Sequence, residues 1–220
     1  AAAPGATIVV EPGVYHESVI INKTLTILGK KGSSSNFAGG GSGIAVTIQP
    51  TAPGTTIANF VITYYDRGVF VNNTRDCKIY DNIMFSMVSS GIVVQGNNAA
   101  NNLIRNNIVY SNNIALNLQS SGNTIYGNTI SQNSVGIKLS NSNNNIIYWN
   151  SFANKEQVRT ETSVHNNIWD NGYPSGGNYW SDYTGVDTNS DGIGDTPYPI
   201  DGSNQDNYPM MNPLHEIAVP

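Results

Sequence analysis

A unit of 22 to 23 residues recurs through the middle of the chain, and no other feature restricts its fold as strongly. GVFVNNTRDCKIYDNIMFSMVSS (68–90) is followed by GIVVQGNNAANNLIRNNIVYSNN (91–113), IALNLQSSGNTIYGNTISQNSV (114–135) and GIKLSNSNNNIIYWNSFANKEQV (136–158). Three landmarks repeat. The first is a short apolar alternation, Val69/Val71, Ile92/Val94, Ile114/Leu116 and Ile137/Leu139. The second is an isoleucine three places before an Asn, at Ile79, Ile104, Ile125 and Ile147. The third is that Asn itself, at Asn82, Asn107, Asn128 and Asn150, with an apolar residue two later at Met84, Val109, Ile130 and Phe152. The segment ANFVIT continues the last columns backwards through Asn59 and Val61.

Apolar pairs at period two, broken by Asn, Gly and Ser at fixed offsets, do not sustain the 3.6-residue rhythm an amphipathic helix needs. They read as short strands with sharp corners. One such unit cannot bury its apolar face alone, whereas identical turns stacked about 4.8 Å apart bury a continuous inner column. The predicted fold is therefore all-β, a right-handed parallel β-helix of six to seven coils over residues 1–158. TIVV, SVIINKTLTILG and GIAVTIQ supply the earlier strands, and a Gly/Ser-rich stretch near 30–43 reads as an insertion between them. Asn suits the corners because it tolerates the left-handed conformation and its amide can bond both backbone and the Asn of the next coil. The chain has 32 Asn, 18 of them between Asn97 and Asn154, and its charged fraction is only 11%.

Charge is divided along the chain. Residues 1–159 hold all ten Lys and Arg against six acids; residues 160–220 hold nine acids and no Lys or Arg. A weakly basic coil region is no nucleic-acid footprint, and so dense an acidic segment repels itself unless a cation lies among its carboxylates. This stretch, 159–220, reads as a Trp/Tyr-rich cap over the last coil, anchored by Trp169 and Trp180. The single Cys77 forbids an internal disulfide, and no Cys/His spacing resembles a zinc site. The uncharged run from Asn106 to Ile137 is too rich in Asn, Ser and Gln for a membrane span. The opening AAAPGATIVV reads as a mature or trimmed product, which leaves an exported origin open.

These residues resemble the NosD-like family of right-handed β-helix repeats, of the carbohydrate-binding and sugar-hydrolase type, common in archaeal and bacterial surface proteins. The likeness rests on PGATIVVEPGVYHESVIINKTLTILG, on coils such as NNLIRNNIVYSNN and GNTIYGNTISQNSVGIKLS, and on the closing GNYWSDYTGVDTNSDGIGDTPYPIDG. It implies a secreted or cell-surface protein. The family places an amphipathic helix before the PG-TI strand, of which Ala1 to Ala3 are what this sequence has, so an uncapped first coil and end-to-end self-association are expected.

Four sets of residues carry candidate chemistry. In the acidic segment Asp187, Asn189, Asp191 and Asp195 stand at positions 1, 3, 5 and 9 of a loop with Gly192 at 6, and Ile193 offers a carbonyl at 7. That is the oxygen spacing of a calcium loop, although position 12 is Tyr198 rather than Glu. Asp182, Asp201 or Asp206 is the source of a further carboxylate, and the Ca2+ so bound would lock the cap. Tyr80, Arg105, Tyr126 and Tyr148 share the column two before the Asn, an outward stripe suited to glycan contact. Asp66, Asp76 and Asp81, with Arg67, Arg75 and Arg105, are the candidate catalytic set of a polysaccharide lyase or epimerase, an alternative that rests on analogy with other β-helices. Copper delivery, implied by the resemblance, would need His16, His165, His215, Met84, Met87, Met210 and Met211, which show no clustered spacing beyond Met210-Met211. Asn22 and Asn72 head glycosylation sequons. The expected function is a calcium-stabilised structural or adhesive module of the cell exterior.

Overall fold

The computed structural model describes residues 2–32 and 34–214. Each coil contributes one strand to each of three parallel sheets, as Lys78–Tyr80, Ile83–Phe85 and Ser90–Gln95 do in the fourth coil. The first and third sheets have seven strands and the second has eight, so the chain winds about seven times round one axis.

Register turns the sequence columns into a core. Ile27, Ile57, Ile79, Ile104, Ile125 and Ile147 are level with one another in successive coils of the first sheet, and all are buried. Ile62, Met84, Val109, Ile130, Phe152 and Trp180 line the second sheet in the same way. In the third sheet Val69, Ile92, Leu116 and Ile137 form one column and Val71, Val94, Leu118 and Leu139 another. Each aliphatic rung contributes about 1.5–3 kcal/mol of burial, and the side chains above and below it are its own kind.

Three readings of the sequence need correcting. Ile114 pairs with Ser90 and Val135 and is only half-buried, so the inward pair of its coil is Leu116/Leu118, not Ile114/Leu116. Ile83 pairs with Val61, which puts Phe60 and Ile62, rather than Asn59 and Val61, in the Asn82 and Met84 columns. The Gly/Ser-rich stretch is no simple insertion. Ser35–Ala38 within it is a full strand of the second sheet, with Phe37 buried in the core.

Corner chemistry is shared between adjacent residues. Asp81, Asn106, Gly127 and Trp149 take positive φ (53°, 53°, 67° and 54°), and each is followed by a ladder Asn with its side chain turned inward: Asn82, Asn107, Asn128 and Asn150. The same pairing occurs at Asn101-Asn102, Gly122-Asn123, Asn144-Asn145 and Asn166-Asn167, and again at Ser111-Asn112 and Gln132-Asn133. The left-handed residue swings the chain round. The Asn behind it then replaces the hydrogen bonds that the strands cannot make at a bend.

Three Asn ladders consequently run through the described residues. In the first, the N–H groups of Asn82, Asn107, Asn128 and Asn150 donate to the Oδ1 of Asn107, Asn128, Asn150 and Asn178 at 3.0–3.1 Å. In the second, Asn102 donates to Asn123, Asn123 to Asn145 and Asn145 to Asn167. In the third, Asn112 donates to Asn133 and Asn133 to Asn154. Most rungs also use Nδ2 on carbonyls of their own and the preceding coil. These polar groups stay in the core because every partner is supplied, which a low-dielectric interior demands.

The coils end at Glu156–Thr160, the last strand of the third sheet. The following segment then closes the interior. Tyr179–Trp180 adds a strand to the second sheet, and Ile168 bridges to Ile146. Trp180 stacks between Phe152 and Tyr198, with ring centroids 4.6 and 4.3 Å apart, and Trp169 packs beside it; both Trp side chains are fully buried.

Candidate functional site

The outward face of the first sheet carries the stripe expected from the sequence. Tyr80, Arg105, Tyr126 and Tyr148 are directly level in successive coils, all half-buried. Spacing by one strand makes their flat groups stack on one another. Tyr126 and Tyr148 lie 5.3 Å apart and 10° from parallel, and the Arg105 guanidinium sits 4.4 Å from the centre of the Tyr80 ring. Trp149 meets Tyr148 edge-on at 5.2 Å and anchors its indole N–H on Ser175 O. Burial, then the neighbouring Tyr126, pushes the Tyr148 phenol up. Ring faces are thus largely occupied by each other. What the column presents to a ligand is a row of phenol edges, hydroxyls and one guanidinium at the pitch of the coils.

The acidic loop is built on its own backbone. Asp187 accepts from the N–H groups of Asp191 and Gly192 (3.2 and 2.8 Å), and Asp191 accepts from Ile193 N–H (2.9 Å) and Asn189 Nδ2 (2.9 Å). Asp195 accepts from the N–H and hydroxyl of Thr188. The Ile193 N–H and the Asn189 amide hold the Asp191 carboxyl below its ordinary value. The three carboxylates do not converge: among the described residues no group of three or more His, Cys, Asp or Glu side chains could hold a metal ion.

The further carboxylates have other partners. Asp182 accepts from the Tyr198 hydroxyl, and Asp201 from Ser203 and Asn204. Asp206 is wholly buried and serves as the next rung of the first ladder: its Oδ2 accepts from Asn178 N–H at 2.7 Å and from the Trp180 indole at 2.9 Å, and its Oδ1 from Tyr208 N–H at 3.0 Å. Burial drives its carboxyl from 3.8 up to about 6 against the pull of those donors. No repeat signal marks this role, because Asp206 lies 28 residues beyond Asn178 in a segment without repeats.

The candidate catalytic acids stand on three different corners of their coils. Asp66 precedes the strand Arg67–Asn72 and pairs with Arg67 (3.4 Å); Asp76 precedes Lys78–Tyr80 and pairs with Arg75 (3.5 Å); Asp81 follows that same strand. Asp76 and Asp81 are the left-handed corner residues themselves, at φ 61° and 53°. Asp76 and Asp81 thus lie on either side of one three-residue strand. Asn22 is exposed and Asn72 half-buried at the end of its strand.

Residues 10–185, well over half the chain, match the family described as NosD, periplasmic copper-binding protein. The chain belongs to the NosD family. No curated protein matches it. The soft donors of this NosD chain do not suit the copper of the family's description. Met84 and Met87 are buried among the core residues, and His16 Nδ1 lies against Ala38 O at 2.8 Å. His165 is exposed and distant in sequence from the rest, and His215 lies outside the described residues. No helix among the described residues is long and apolar enough to cross a membrane.

Proposed function

We propose that this NosD-family chain is a non-catalytic, adhesive β-helix module of the periplasm or cell exterior, which holds glycan along the Tyr80/Arg105/Tyr126/Tyr148 face. The observation that carries the reading is that column. It offers hydroxyl and guanidinium groups at one coil spacing, on a support fixed by three buried ladders, which is the repetition a linear polymer would need. A rigid, preorganised surface binds with less loss of freedom than a mobile one. The pairing of Asp66 with Arg67 and of Asp76 with Arg75 supports binding over bond cleavage.

The loop from Asp187 to Asp195 is the calcium site of this reading, with Asp187, Asn189, Asp191 and Asp195 as oxygen donors and the Ile193 carbonyl as a fifth. Calcium would draw these oxygens together and lock the cap over the last coil. Self-association belongs to the opposite end, where the first coil leaves the inward residues Ile8, Val10, Tyr15 and Val19 only half-buried around an apolar hollow of about 260 Å³.

Glycan-array binding of the wild type and of Tyr126→Ala tests the adhesive reading. Binding that falls tenfold or more in the variant supports it. Equal binding by both proteins, or none by either, removes the column from the account.

A further inference from the structure

The ladder Asn residues have their amides engaged in the interior, whereas a second group of Asn on the surface is almost entirely unengaged. Asn97, Asn98 and Asn101 are exposed, and their side chains make no hydrogen bond among the described residues. Asn73 uses only its Oδ1, which accepts from Asn98 N–H at 3.0 Å. These four Asn residues line one open groove of about 450 Å³ at the corner between the third and first sheets, together with Arg75 and with Pro50 and Pro53 from the coil before. A neighbouring groove of about 380 Å³ shares Asn101 and runs on over Lys78, Leu103 and Thr124. Beyond Leu103 and Thr124 lies the Tyr/Arg column, since these residues stand two before Arg105 and Tyr126 on the same strands.

The two grooves cross four successive coils, from Pro50 to Gly122, or about 14 Å at one strand spacing per coil. Each step is close to the length of one pyranose unit. A side-chain amide offers two donors and an acceptor in one plane, which matches a pair of neighbouring sugar hydroxyls, and the proline rings offer apolar surface to C–H faces. The groove is nearly neutral: Arg75 is paired with Asp76 at 3.5 Å, and Lys78 is the one further charge.

We infer that this corner groove binds an uncharged linear polysaccharide, with Asn73, Asn97, Asn98 and Asn101 as its hydrogen-bonding floor. The inference rests on the adhesive reading and places the glycan beside the aromatic column rather than on its ring faces.

Isothermal titration with neutral oligosaccharides of four to six units, from β-1,4-glucan, α-1,4-glucan, mannan and xylan, tests it against oligogalacturonate and oligomannuronate. Asn97→Ala/Asn98→Ala alters two exposed side chains without partners, and Asn101→Gly keeps the left-handed corner at φ 55°, so both variants should melt with the wild type. The inference expects a neutral oligosaccharide to bind, tenfold or more weakly to each variant, with an affinity insensitive to salt. Binding that Tyr126→Ala weakens and both groove variants leave intact overturns the groove while the adhesive reading stands. Binding of the uronates alone, lost at high salt, overturns the neutral ligand. No binding by the wild type overturns groove and adhesive reading together.

Discussion

Replacing Asn128 by Ala removes one rung from the middle of the first ladder. Its Oδ1 accepts the N–H and Nδ2 of Asn107, both at 3.0 Å, and its Nδ2 donates to Ile104 O (3.0 Å), Tyr126 O (3.1 Å) and Asn150 Oδ1 (2.8 Å). The residue is 1% exposed, so water cannot take over these bonds. One buried backbone group, the Asn107 N–H, is left without its partner, because the Ile104 C=O keeps its ladder bond, and the Asn107 and Asn150 side chains each lose one bond. At about 1–3 kcal/mol for a buried group left unsatisfied, the loss is at least about 1–3 kcal/mol. That is a sizeable part of the 5–15 kcal/mol typical of a folded domain. Urea unfolding followed by far-ultraviolet circular dichroism measures it, with Asn97→Ala as the surface control expected within about 0.5 kcal/mol of wild type. A loss under about 1 kcal/mol at Asn128, no different from the control, would refute the view that the ladders hold the coils.

Other perturbations address the cap. Trp180→Ala empties the stack between Phe152 and Tyr198 and should destabilise by about 3–5 kcal/mol, read from the melting temperature; a loss below 1 kcal/mol would mean the cap does not seal the core. Calcium at a hundred times its dissociation constant should stabilise by about 2.7 kcal/mol, an increment that a chelator and Asp187→Asn both remove; identical melting with and without the ion discards the calcium loop. The folded-state carboxyl of Asp206 is raised to about 6 from 3.8, so its contribution is full below 3.8 and is lost as pH rises through about 6. Relative to Asp206→Asn, the wild type should therefore gain melting temperature as pH falls from 7 to 4, and a constant difference between the two proteins contradicts this.

The inner columns were legible because a period-two alternation with isoleucine at a fixed place before Asn survives changes in loop length. Successive rungs of the same ladder are separated by 21, 22, 25 or 28 residues, and those unequal loops hid the other two ladders among many similar Asn. The slip at Asn59 has the same origin. That Asn is the left-handed residue (φ 63°) and Phe60 behind it holds the rung position, a division of labour that sequence spacing alone does not reveal. Ser35–Ala38 was obscured by composition, since one buried Phe among Gly and Ser gives no alternation. Of the site, the Tyr/Arg column was readable from strand register, while the corner groove was not. Its Asn residues come from different coils and are told apart from ladder Asn only by the direction of their side chains.

The adhesive reading stands or falls on whether the protein binds polymer without cutting it. The direct test incubates wild-type protein with neutral and acidic polysaccharides, measuring bound protein and newly formed chain ends in the same tube. Saturable binding with no new ends, with or without calcium, is the predicted result. New ends that disappear in Asp76→Ala or Asp81→Ala would contradict it and make the protein an enzyme.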